Sequence, residues 1–120
     1  MSYDDRIGNK FLNAGVGYGG SCFPKDTKAL SYLAKENGYS LKSVQAAIDI
    51  NHDQIIKLIN KASKRVISFS GLKVAVLGLT FKPGTDDVRE APSLINVAKL
   101  LEKEADVVCY DPIGVDNFKS

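Results

Sequence analysis

The sequence predicts an α/β chain in which two helices, one of them long, precede a βαβ unit of a doubly wound parallel sheet. Three observations predict it. Apolar residues recur at helical spacing in two stretches between positions 26 and 62. A short run rich in Val, Ala and Leu follows at 73–79. A further helical pattern then separates that run from a second one at 105–110.

The elements follow in order. Positions 3–24 are rich in glycine and have no clear period, which reads as a loop. From Asp26 the pattern turns helical, with Ala29, Leu30, Leu33 and Ala34 as the apolar stripe. Asp26 is the expected N-terminal cap and Gly38 the expected stop. In the second helix Leu41, Val44, Ala47, Ile48, Ile55, Leu58, Ile59 and Ala62 keep the 3–4 spacing, with Ser40 as its expected cap. Its length and broad apolar face suggest contact with more than one neighbour, including a subunit interface. Lys73-Val74-Ala75-Val76-Leu77-Gly78-Leu79 reads as a buried parallel strand. After a long connection, Pro92 suits the first position of a helix buried through Leu94, Ile95, Ala98 and Leu101. Ala105 to Tyr110 is the second strand, ended by Asp111-Pro112. A sheet of two or three strands leaves faces and an edge uncovered, so these 120 residues are expected to be cut from something larger.

Composition narrows the function. Hydrophobic residues at 44% and charged residues at 25% suit an ordinary soluble protein, one domain or pieces of two. The net charge of +2 comes from 16 basic and 14 acidic residues with no basic run, so no nucleic-acid partner is expected. No apolar stretch reaches the roughly 18 to 20 residues of a membrane span, so no membrane partner is expected either. The polar, acidic start Met1-Ser2-Tyr3-Asp4-Asp5-Arg6 does not read as a signal peptide, which points to a cytoplasmic protein. There Cys22 and Cys109 should be free thiols, and two thiols with one histidine make a zinc site improbable.

Gly15-Val16-Gly17-Tyr18-Gly19-Gly20 fits the formal pattern GxGxxG. No strand precedes it and Ser21-Cys22-Phe23-Pro24 delays the helix, so it does not read as a dinucleotide fingerprint. Backbone lying close to a ligand is the better reading. Cys22, just before a helix start and beside Lys25, is placed for a thiolate, although a free cysteine is more often mere packing. Cys109, inside a strand, reads as packing, and His52 as structural or solvated. Asp26 could position water as well as cap. The connection from Thr80 to Ala91 is long and lies at the carboxyl end of a strand, where such sheets hold ligands. Lys82 and Arg89 are its candidates for phosphate oxygens, with solvated surface charge as the plain alternative.

Two stretches are recognisable as a pair. Gly17-Tyr18-Gly19-Gly20-Ser21-Cys22-Phe23-Pro24-Lys25-Asp26 resembles the catalytic-cysteine signature of the UDP-glucose/GDP-mannose dehydrogenase family. Lys73 to Pro92, KVAVLGLTFKPGTDDVREAP, resembles the start of that family's sugar-nucleotide-binding domain, and Asp5-Arg6-Ile7-Gly8 also fits. The resemblance implies that residues 1–67 are the last part of a central helical domain whose long helix forms a homodimer. Residues 68–120 would begin the UDP-sugar-binding domain. It implies NAD as cofactor and a two-step oxidation of a sugar C6 alcohol to a carboxylate through a thioester on Cys22, with Asp26 serving hydrolysis. Lys25 and Arg89 would contact NAD. Arg6, Phe11, Leu12, Asn13, Ala14, Gly15, Gly19, Phe81 and Lys82 would contact the sugar nucleotide. Some members carry lysine where this chain has Asn13. The sequence around Cys22 and the 80–92 loop look most like members acting on UDP-glucose. GDP-mannose, UDP-N-acetylhexosamine and a non-catalytic oligomerisation module are the rival readings. The family's NAD-binding domain and its proton-transferring lysine and asparagine are not in this chain, so no turnover is expected of it alone.

Overall fold

The computed structural model describes residues 3–10 and 13–119. Its elements run α1 (Phe23–Glu36), α2 (Lys42–Ala62), β1 (Lys73–Leu77), α3 (Pro92–Glu102), β2 (Asp106–Tyr110) and α4 (Val115–Lys119). Strands β1 and β2 pair in parallel, with Lys73 opposite Asp106 and Leu77 opposite Tyr110. Helix α3 crosses between them, so the expected βαβ unit is present after two helices, the second of 21 residues. The short α4 had no sequence signal.

Helix α1 starts at Phe23 and not at Asp26, because Pro24 near its start already fixes a helical φ. Asp26 is therefore inside the first turn and caps nothing. Gly38, at φ +71°, closes the helix as expected, with Gly38 N–H on the Lys35 carbonyl and Tyr39 N–H on that of Ala34. Leu41 and not Ser40 stands at the start of α2, with no side-chain cap. Extended backbone at Ala91, imposed by Pro92, starts α3.

Two expected stripes are displaced. Along α1 the covered residues are Pro24 and Ser31, while Leu30 and Leu33 are exposed. The Ser31 hydroxyl donates to Gln45 Oε1 of α2 at 3.0 Å, so this helix pair meets through polar groups. Along α3 the buried residues are Pro92, Asn96, Val97 and Leu100, and Leu101 faces out. The core joins Ile59 of α2, Phe69, Leu100 and Ala105, against which Val74, Val76 and Val107 of the sheet pack. Among the described residues, one sheet face is thus covered. Leu77, Val108 and Tyr110 on the other are exposed, unlike the fully buried strand expected.

The carboxyl end of β1 is held by Asp111, just beyond β2. Its Oδ2 accepts the N–H groups of Leu79 at 2.8 Å and Thr80 at 3.4 Å. Its Oδ1 accepts those of Ile113 at 2.9 Å and Gly114 at 2.8 Å. The bonds from Leu79, then Gly114 and Ile113, hold this carboxyl down to about 2. Asp111 therefore anchors the first residues of the 80–91 loop.

Candidate active site

The glycine loop lies between α2 and the 80–91 loop and is fastened on both sides. From α2, Asn51 Oδ1 accepts the Tyr18 N–H at 2.7 Å, and Asn51 Nδ2 donates to the Tyr18 carbonyl at 3.1 Å. From the other side, the Arg89 carbonyl accepts the Gly20 N–H at 2.9 Å. A Cβ on Gly19 would collide with the Glu90 carbonyl, and one on Gly20 would come 2.8 Å from the Phe81 ring. Gly20 also has φ +82°, which L side chains rarely adopt. These glycines serve close approach to the chain's own 81–91 segment, where backbone close to a ligand was expected, and among the described residues no strand precedes them.

Cys22 stands at the N-terminal boundary of α1, exposed, with its Sγ 3.8 Å from Ser21 Oγ. Among the described residues no side chain caps this helix end, so the positive end of the helix dipole lies uncapped at the boundary where Cys22 stands. The Asp26 N–H donates to the Cys22 carbonyl at 2.8 Å. That bond puts the two residues one helical turn apart, where side chains share a face. Lys25 Nζ lies 3.5 Å from Asp26 Oδ1, both exposed.

Arg89 supplies a second cation. Asp87 binds its Nε at 2.9 Å and its Nη2 at 2.7 Å. These bonds raise the Arg89 guanidinium further, and the nearby Cys22 contributes in the same direction. The same pairing brings Asp87 down to about 2. An open cleft runs along Gly20, Ser21, Lys25, Lys28, Arg89 and Glu90. Glu90, in the left-handed region at φ +52°, pairs with Lys28 at 3.4 Å and turns its carbonyl toward Gly19.

Cys22, Lys25, Asp26, Gly19, Phe81 and Arg89 are thus brought together. Lys82 is exposed, its Nζ 5.3 Å from the centre of the Phe81 ring. Arg6 is taken up by Asp4, which holds its guanidinium at 2.7 Å. Asn13, Ala14 and Gly15 are exposed, and the Gly15 carbonyl faces Gln54 Nε2 at 3.4 Å. Phe11 and Leu12 lie outside the described residues. Cys109 is half-buried on the covered face of β2, and that burial pushes its thiol up. His52 is exposed beside Asp53. Among the described residues, no three His, Cys, Asp or Glu side chains gather as a metal site, and no helix is long and apolar enough to cross a membrane. Asn51, Glu90 and Asp111 were missed by sequence reasoning, because each acts through a partner far along the chain.

Residues 1–53 match the central domain of the UDP-glucose/GDP-mannose dehydrogenase family, and residues 75–120 match that family's UDP binding domain. The chain belongs to this family. It is 47% identical over 119 residues to the UDP-glucose 6-dehydrogenase AglM of Haloferax volcanii, covering 99% of this chain and 27% of that protein. A UDP-glucose dehydrogenase from Pyrobaculum islandicum superposes with a TM-score of 0.92 at 36% identity, over 98% of this chain and 27% of that one. GDP-mannose dehydrogenase from Pseudomonas aeruginosa follows the same fold with a TM-score of 0.78 at 30% identity, over 90% and 24%. The chain thus spans about a quarter of the length of the dehydrogenases it matches.

Proposed function

We propose that this chain is the cysteine-bearing part of an NAD-dependent UDP-glucose 6-dehydrogenase, which converts the C6 alcohol of UDP-glucose to the carboxylate of UDP-glucuronate. One observation carries the reading: the exposed Cys22 thiol at the uncapped start of α1, with Lys25, Asp26 and Arg89 around it. The 47% identity to a UDP-glucose 6-dehydrogenase across that site supports it.

Cys22 acts at the aldehyde level. Its thiolate adds to C6, the C–S bond forms and the carbonyl oxygen takes a proton. Loss of a hydride from that carbon, with release of the hydroxyl proton to solvent, then leaves a thioester. NAD⁺, when bound, is the hydride acceptor in each oxidation. Water, oriented by Asp26, attacks the thioester carbon, the C–S bond breaks, the thiolate returns, and the two protons of the water pass to solvent as the carboxylate forms. Lys25 and Arg89 suit the cofactor's phosphates. Both are exposed cations at the cleft, and Asp87 occupies Nε and Nη2 of Arg89 while leaving Nη1 for a phosphate oxygen. Lys82 and Phe81, with Arg6 and the loop from Phe11 to Gly19, grip the sugar nucleotide.

Residues 1–67 belong to the helical domain and 68–120 to the sugar-nucleotide domain. The homodimer forms through α2, where Ile50 and Leu58 are exposed. The protein acts in the cytoplasm. These 120 residues alone have no turnover. The test is acid formation by the full-length protein with UDP-glucose, GDP-mannose and UDP-N-acetylhexosamines, beside a Cys22→Ser variant. UDP-glucose is expected to be preferred, and the variant to form no net acid. Unchanged acid formation by Cys22→Ser would overturn the assignment and favour a non-catalytic module.

A further inference from the structure

We infer that Asn51 is a positioning residue for Cys22: it holds Tyr18 by both its backbone N–H and its backbone carbonyl, and thereby sets the path of the loop that presents the thiol. The inference rests on Cys22 being the nucleophile. Four of the six residues from Gly15 to Gly20 are glycine, so the loop has little conformational preference of its own. Its shape at Tyr18 must come from outside. Asn51 supplies it from α2 with bonds of 2.7 and 3.1 Å, 33 residues away along the chain. The Tyr18 ring then packs edge-to-face on Phe23, with centroids 6.0 Å apart, and Phe23 follows Cys22 directly. One carboxamide therefore connects the long helix to the first residue of α1. No ionised carboxylate can replace it, since a carboxylate accepts but cannot donate.

The full-length protein tests this with Asn51→Ala, Asn51→Asp and Cys22→Ser. Asn51→Asp keeps the acceptor and guards against a folding failure of the alanine variant. The readouts are hydrogen exchange at the Tyr18 amide in the free protein, and single-turnover NADH formation from UDP-glucose and NAD⁺, resolved into first and second hydride. A misplaced sulfur should leave the first hydride within about 3-fold of wild type and slow the sulfur-dependent second at least about 10-fold. Tyr18 exchange should rise about 10-fold in Asn51→Ala. Equal slowing of both hydrides, or neither slowed beyond about 2-fold, overturns the positioning role. Full acid formation by Cys22→Ser would instead overturn the nucleophile reading beneath it.

Discussion

The backbone N–H of Gly20 donates to the carbonyl of Arg89 at 2.9 Å, joining the loop that carries Cys22 to the loop that carries a cation near it. The thiol and the guanidinium thus come from segments almost 70 residues apart and are registered by main chain. Main-chain registration is insensitive to side-chain rotamers, and it depends on close backbone contact at Gly19 and Gly20.

Gly19→Ala should break that registration. A methyl group there meets the Glu90 carbonyl and the Ala91 Cα, both backbone, so no flexible side chain can yield. A displacement of about 1 Å at the reacting centre lowers kcat by about 10²-fold. Gly15→Ala meets nothing within 4 Å and should leave the melting temperature within about 2 °C of wild type. Steady-state kinetics and thermal melts of the two full-length variants check both outcomes, and equal melting temperatures for the pair would contradict the contact.

Arg89→Ala should raise the KM for NAD⁺ by about 10- to 100-fold, the worth of one charge-assisted bond to phosphate. Asp87→Asn tests how the guanidinium is held. It removes the carboxylate that grips Nε and Nη2, so Arg89 stays charged but loses its fixed direction. A smaller rise in KM is expected, with UDP-glucose binding little changed. Cofactor titrations of both variants check the order, and an Asp87→Asn effect as large as Arg89→Ala would sink the orienting role.

What the sequence made legible was local. The long helix, the βαβ unit and the stop at Gly38 follow from periodicity and from one glycine, both readable within a few residues. The buried stripes were less legible, because the neighbour decides which side is covered. On α1 Ser31 turns inward because Gln45 of α2 receives it, while Leu30 and Leu33 stay exposed. The place of Cys22 just before a helix was legible, because the helical pattern begins close behind it. Asn51 was not, since nothing near it signals a partner at Tyr18. Asp111 read only as the residue ending a strand, although it caps four N–H groups.

Asp26→Asn should slow thioester hydrolysis more than either oxidation. The residue lies one turn from Cys22 and shares its face of α1, so its loss leaves the sulfur in place and removes the group proposed to orient water. An acyl adduct on Cys22 should then accumulate. Mass spectrometry of the quenched full-length variant during turnover would detect it, and absence of the adduct in a slowed variant would argue against this role.

Asp111 makes the structure sensitive to acid in a defined window. Its carboxyl is lowered from an ordinary 3.8 to about 2 by the N–H groups of Leu79, Gly114 and Ile113. Asp87 is lowered to about 2 as well, by Arg89. A carboxyl depressed in the folded state stabilises that state fully above its unfolded value, and the contribution disappears as pH falls through the folded value. The melting temperature should therefore be flat in these two groups above about pH 5 and decline between about pH 4 and 2. Asp111→Asn keeps the size of the side chain but sets an amide N–H against backbone N–H groups. It should lower the melting temperature at neutral pH by about 5 °C or more, and it should flatten the acid decline, because the group that titrates is gone. Melts of wild type and variant across pH 2 to 7 separate the two effects. A variant with an undiminished acid decline would mean that other carboxyls, and not this corner, carry the acid sensitivity.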